Sequence, residues 1–139
     1  MRTHLVGLVV GIGFVALTHT IAAAQSAAVR QEIEGQQLFR TFCVSCHGSD
    51  GRGNGPVAFA LKRPPADLTT IAGRNGGVFP RERLIRYITD GDSSTPAHGS
   101  TDMPVWGPNL TALAPGSNKP VSEHITNLVA YLESIQSRK

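Results

Sequence analysis

Cysteine, methionine and aromatic residues are all scarce in this chain: two cysteines, two methionines and 6% Phe, Trp and Tyr in 139 residues. Two cysteines exclude a multi-bridge disulfide scaffold. With no second pair they also exclude a four-cysteine zinc site. So few aromatics leave little material for a large apolar core. No stretch of useful length alternates apolar and polar residues with period two, so no sheet is expected and the fold class reads as all-α. Charge is weak too: a formal +3 gives no basis for a nucleic-acid partner. The length suits a single domain.

The first part of the chain reads as a targeting segment. Arg2 supplies a short basic start, Leu5 to Leu17 is an apolar run, and Ala22-Ala23-Ala24 offers the small-residue pattern of a cleavage site. The expected organisation is therefore a leader over 1–24 and a domain over 25–139. The alternative is a retained anchor, because no formal charge falls between Thr3 and Val29. Either way the domain is expected outside the cytoplasm, in the periplasm or anchored facing it. Contact with a membrane would come only through a retained leader or a membrane-bound partner complex.

What is present is concentrated in Cys43-Val44-Ser45-Cys46-His47, which holds both cysteines. On a helix, positions i, i+3 and i+4 share one face. A disulfide between residues so close would close a tiny loop and stabilise little. A thioredoxin-like pair would need a βαβ context that the sequence lacks. The histidine directly after the second cysteine points instead to covalent haem attachment. The two thiols would form thioethers to the porphyrin, and His47 would hold the iron from the proximal side.

Helices are expected around that motif. Gln31 to Phe42 reads as helical and runs into the motif without a break; Gly35 within it suggests a close helix crossing. Gly48 to Gly55 is a loop by composition, Val57 to Leu61 a turn or two of helix, and Ala66 to Thr70 irregular with Leu68 turned inward. Pro80 to Thr89 is a helix with an apolar stripe at Leu84, Ile85 and Ile88, ended by Gly91. Asn109 to Pro120 is expected to be a loop. The last helix has Ser122 as its N-cap and runs to about Gln136, with Ile125, Leu128, Val129, Leu132 and Ile135 on one face. A fold so rich in loops needs a cofactor at its centre.

The iron needs a second axial ligand. Beyond the leader, Met103 is the single methionine, flanked by Pro104 and Trp106. A thioether ligand favours ferrous iron relative to a second imidazole; the plain alternative is a core methionine. His98 is the competing ligand, and His124 reads as a solvated side chain in the last helix. A ligating histidine donates its other N–H to a carboxylate or carbonyl, for which the Pro56 carbonyl is a candidate. Arg63 and Arg74 are candidates for the propionates, though ordinary surface arginines would look the same. Trp106 would pack near the haem edge or prop the Met103 loop, or belong to the core.

Gly35-x-x-Leu38-Phe39, Cys43-x-x-Cys46-His47, Gly55-Pro56, Met103-Pro104 and Leu128-x-x-Tyr131-Leu132 occur in the order in which they appear in bacterial periplasmic class I c-type cytochromes, which this sequence resembles. The resemblance implies a cytochrome c fold: a few helices and long loops wrapped around one covalently attached haem c. It implies first and last helices that cross, with Gly35 and Phe39 near Tyr131. It implies His47 and Met103 as axial ligands, with the Pro56 carbonyl accepting from His47. The expected function is single-electron transfer between exported redox partner proteins. The alternatives are a subunit or electron-entry module of a larger dehydrogenase or oxidase, and a haem enzyme or sensor with an open iron position. No Ser/His/Asp set or carboxylate pair accompanies the motif, so an electron-transfer protein is expected rather than an enzyme.

Overall fold

A computed structural model describes residues 4–91, 103–113 and 118–137, with side chains described from residue 23 onward except at 112–113. Every regular element among them is helical, and none is a strand. Contacts divide the chain into Met1–Arg30 and Gln31–Lys139. In the first unit the backbone belongs to α1 (His4–Phe42), a helix of 39 residues that begins well before the expected Gln31. Among the described residues, no helix is long and apolar enough to cross a membrane.

The second unit is built on the end of α1, α2 (Val44–His47), α3 (Ile71–Arg74), α4 (Arg81–Asp90), α5 (Trp106–Leu113) and α6 (Val121–Ser134). Its centre is α6, whose stripe behaves as its period predicts: Ile125 and Val129 are fully buried, and Leu128 and Leu132 nearly so. Each such side chain contributes on the order of 1.5–3 kcal/mol by leaving water. Phe39, Ile88 and Leu110 bring α1, α4 and α5 onto the same cluster. Where α1 meets α6 the backbones all but touch. A Cβ on Gly35 would lie 1.9 Å from the Asn127 carbonyl oxygen, so only glycine fits there. One turn on, the Phe39 and Tyr131 rings lie 5.3 Å apart. The crossing expected at Gly35, Phe39 and Tyr131 is present.

Three expectations are corrected. Residues 106–113 are helical rather than loop. Gly107, Pro108 and Asn109 read as turn residues, but Pro108 sits in the first turn, where a missing N–H costs no ladder bond, and Leu110 is buried. The N-cap of α6 is Pro120 rather than Ser122; the Pro120 carbonyl already accepts from Glu123 N–H. Finally, α1 and the haem motif are not one unbroken helix, because Cys43 stands between α1 and α2. The ladder still crosses that residue through Cys43 N–H to Phe39 O at 2.9 Å and His47 N–H to Cys43 O at 2.9 Å.

Candidate functional site

Because the ladder carries through Cys43, the end of α1 aims Cys43 and His47 at the same space. That space is an apolar cleft, partly open to solvent. Cys43 and His47 form part of one wall, Met103 and Trp106 come from the other end of the chain, and Leu128 and Leu132 of α6 form the floor. Phe42 and Trp106 pack at 5.5 Å between centroids, tying the end of α1 to the start of α5. The two cysteines form no disulfide with each other. Cys46 is half-buried and does not line the cleft; its sulfur accepts a weak contact from Ser45 Oγ at 3.9 Å.

His47 is oriented by one hydrogen bond, from Nδ1 to the Ala66 carbonyl at 3.1 Å. A carbonyl can only accept, so Nδ1 carries the proton and the Nε2 lone pair is left for a metal. The expected acceptor, Pro56, is corrected: the Ala66 carbonyl takes that role. The Gly55–Val57 stretch is instead folded back on the motif's own backbone, with Gly55 N–H to Cys46 O at 3.0 Å and Val57 N–H to Ser45 O at 3.0 Å. Pro56 itself is exposed. Ala66 reaches the imidazole because Gly53 yields the room. Gly53 has φ +80°, and a Cβ there would lie 2.2 Å from the Pro65 carbonyl oxygen.

Burial dominates the electrostatics of the site. Burial, and then the neighbouring Cys46, push the Cys43 thiol up to about 12, so it is protonated at neutral pH. Burial also lowers His47, against the opposing pull of its bond to Ala66, which favours the neutral imidazole that a metal needs. Among the described residues, no cluster of three or more His, Cys, Asp and Glu stands ready for a bare ion. One imidazole, one thioether and a thiol around an apolar cleft suit a haem rather than a free metal ion.

Of the remaining candidates, Trp106 is in the cleft wall, whereas Arg63 and Arg74 are exposed and do not line it. Arg74 donates to the Asp67 carbonyl at 2.8 Å and to the Thr70 hydroxyl, so it serves the segment beneath His47. His124 is half-buried. His98 lies outside the described residues. Sequence reasoning did not single out Ala66, because any residue type carries a carbonyl and no side-chain signal marks an acceptor. Asp67 does leave a signal: Asp-x-Thr suits a cap, and Asp67 Oδ1 accepts from Thr69 N–H at 2.8 Å and Thr69 Oγ1 at 2.7 Å.

One protein-family model, described as cytochrome C oxidase, cbb3-type, subunit III, matches residues 30–132. No curated protein and no solved structure matches.

Proposed function

The chain belongs to the cytochrome c domains of that family, and from this premise we propose that it passes single electrons through a haem c held by Cys43, Cys46, His47 and Met103. A cytochrome c domain with a Cys-x-x-Cys-His motif carries one covalent haem c, and its chemistry is electron transfer with redox partners. The bound haem supplies the ferric–ferrous couple. The protein's own residues orient and insulate it. In this reading Cys43 and Cys46 would anchor the group by thioethers, His47 would hold the iron through Nε2 while Nδ1 donates to Ala66, and Met103 would supply a second iron ligand. The apolar floor from α6 keeps water away, and a thioether ligand favours the ferrous state.

One observation carries the ligand assignment. Cys43, His47 and Met103, the last 60 residues after the first, meet on one cleft. A visible spectrum of the purified ferric protein tests it. The weak far-red band of methionine–iron bonding supports the assignment, and a high-spin spectrum overturns it.

A second reading has a specific observation in its favour, namely the family description as an oxidase subunit. In that reading the domain is the electron-entry module of a membrane oxidase complex, and the carrier role is exercised within the complex rather than between free partners. Co-purification from membranes with an intact complex favours the module; a haem protein recovered free from the periplasmic fraction favours the shuttle. The leader is proposed to end at Ala24, with the domain from residue 25 exported before haem attachment. Mass spectrometry of the mature protein reads both the cleavage site and the covalent haem mass.

A further inference from the structure

If His47 is an iron ligand, as proposed above, the placement of its hydrogen-bond acceptor matters to the iron. The Ala66 carbonyl belongs to an irregular stretch that precedes a short 3₁₀ turn over Leu68–Thr70 and then α3. Such a stretch has no ladder of its own to fix a carbonyl to within a few tenths of an ångström. Arg74 and Thr69 tie Asp67 locally, and the rest of the stretch's support comes from elsewhere.

Much of it comes from the tail of α6. Gln136 lies two residues past the end of that helix and is half-buried. Its Nε2 donates to the Leu132 carbonyl at 2.6 Å and to the Leu68 carbonyl at 2.7 Å. Its Oε1 accepts from Ala72 N–H at 2.9 Å. The orientation of this amide is settled by its partners: two carbonyls require N–H groups and one N–H requires an oxygen, so the flipped amide would satisfy none of them. The next residue adds a strand-like bond, Ser137 N–H to Thr69 O at 2.7 Å. On the other side, Leu68 N–H donates to Gly51 O at 2.7 Å, joining the same stretch to the loop that follows His47. Leu68 is thus clamped on both sides, and Ala66 is two residues away.

We propose that Gln136 is a positioning residue for His47: it pins Leu68 and Ala72 to the buried helix α6 and so holds the Ala66 carbonyl against the imidazole Nδ1–H. Supporting partners of this kind raise the basicity of a ligating imidazole. A more basic imidazole stabilises the ferric state, so loosening the acceptor raises the reduction potential.

The test uses the full chain with haem attached and compares Gln136→Ala, Gln136→Met and Glu133→Gln with wild type. Methionine keeps an unbranched chain of similar length without the hydrogen bonds, so it covers the case in which the alanine variant does not fold. Glu133 pairs with Arg81 at the same end of α6, so Glu133→Gln reports general loosening of the helix end. The readouts are the reduction potential and the solvent exchange of the His47 Nδ1 proton in the diamagnetic reduced state. Losing these bonds is expected to speed that exchange roughly five- to tenfold, the scale of one or two hydrogen bonds in an opening equilibrium, and to move the potential upward. Glu133→Gln should do neither. Unchanged exchange and potential in both Gln136 variants overturn the proposal, as does an equal effect from Glu133→Gln. If wild type itself lacks an iron-bound His47 spectrum, the ligand reading fails first, and that result is visible without any variant.

Discussion

The two walls of the cleft are built on different principles. On the His47 side, position comes from directional hydrogen bonds: His47 to Ala66, Leu68 to Gly51, Gln136 to Leu68 and Ala72 to Gln136. On the Met103 side it comes from shape. Met103 and Trp106 pack, as Leu84 and Ile85 do, against the buried cluster of Phe39, Ile88, Leu110 and the α6 stripe, and Trp106 meets Phe42 face to tilted face. The difference suits the two proposed ligands. An imidazole has a second nitrogen whose partner tunes the first, so its support must be polar and aimed. A thioether has nothing to donate and needs only a rigid apolar seat. Each wall should therefore fail in its own way.

The largest effect belongs to the Met103 wall. Met103→Ala removes the proposed ligand outright. It is expected to lower the reduction potential by on the order of 0.1–0.3 V, within the roughly 0.8 V range that axial ligands control. It should also let external imidazole bind the iron. Potentiometric titration and an imidazole titration check both, and a potential that does not move removes Met103 from the iron. The Nδ1 proton of His47 should exchange as in wild type, because nothing on its side has changed.

Trp106→Ala comes next. A fully buried Trp or Phe truncation costs about 3–5 kcal/mol; for a half-buried ring roughly 2–4 kcal/mol is expected, read from the urea midpoint. The far-red methionine band should weaken. If the band is unaffected while stability falls, Trp106 is core and does not prop Met103.

Gly53→Ala is the matching lesion on the other wall. Its Cβ would press on the Pro65 carbonyl from a residue held at positive φ, and backbone cannot move aside as a side-chain tip can. Overpacking costs about 1–3 kcal/mol. The signature that matters is different: faster exchange of the His47 Nδ1 proton with the methionine band intact. The opposite pattern would mean that the two walls are not separable.

The contrast also explains what could be read from the residues alone. Cys43, Cys46 and His47 were legible because a covalent attachment motif is local and its chemistry is written in side chains. The α6 stripe was legible because burial follows the helical period, and Gly35 because a glycine inside a helix has few other reasons to be there. The polar wall was not, since it is made largely of backbone carbonyls that every residue type possesses; that is why Pro56 was expected where Ala66 stands. Gln136 gave no signal, because a glutamine at a helix end looks like solvated surface until its three partners are seen. Helix α5 was hidden by Gly107 and Pro108, whose turn preference gives way once Leu110 has a core to enter.

The smallest effect is the one that separates the walls by pH. The Asp67 carboxyl is held below its ordinary 3.8 first by the Thr69 hydroxyl, then by Thr69 N–H, with Arg52 and Arg74 adding to the effect and burial opposing it. A group whose folded value is depressed stabilises the native state above its unfolded value and loses that contribution as pH falls through the folded one. Asp67→Asn keeps a cap oxygen but does not titrate. Wild type should therefore exceed Asp67→Asn in stability by a constant margin above about pH 5, closing as pH drops below about 4. The margin itself is a fraction of the ~1 kcal/mol that separates a capped from an uncapped turn. Urea midpoints across that range measure it. Trp106→Ala provides the control, because an apolar contact has no proton to lose and its deficit relative to wild type should stay flat over the same interval. A pH-dependent deficit at Trp106, or a pH-independent one at Asp67, would show that polar and apolar support are shared between the walls, and the division drawn between His47 and Met103 would fall.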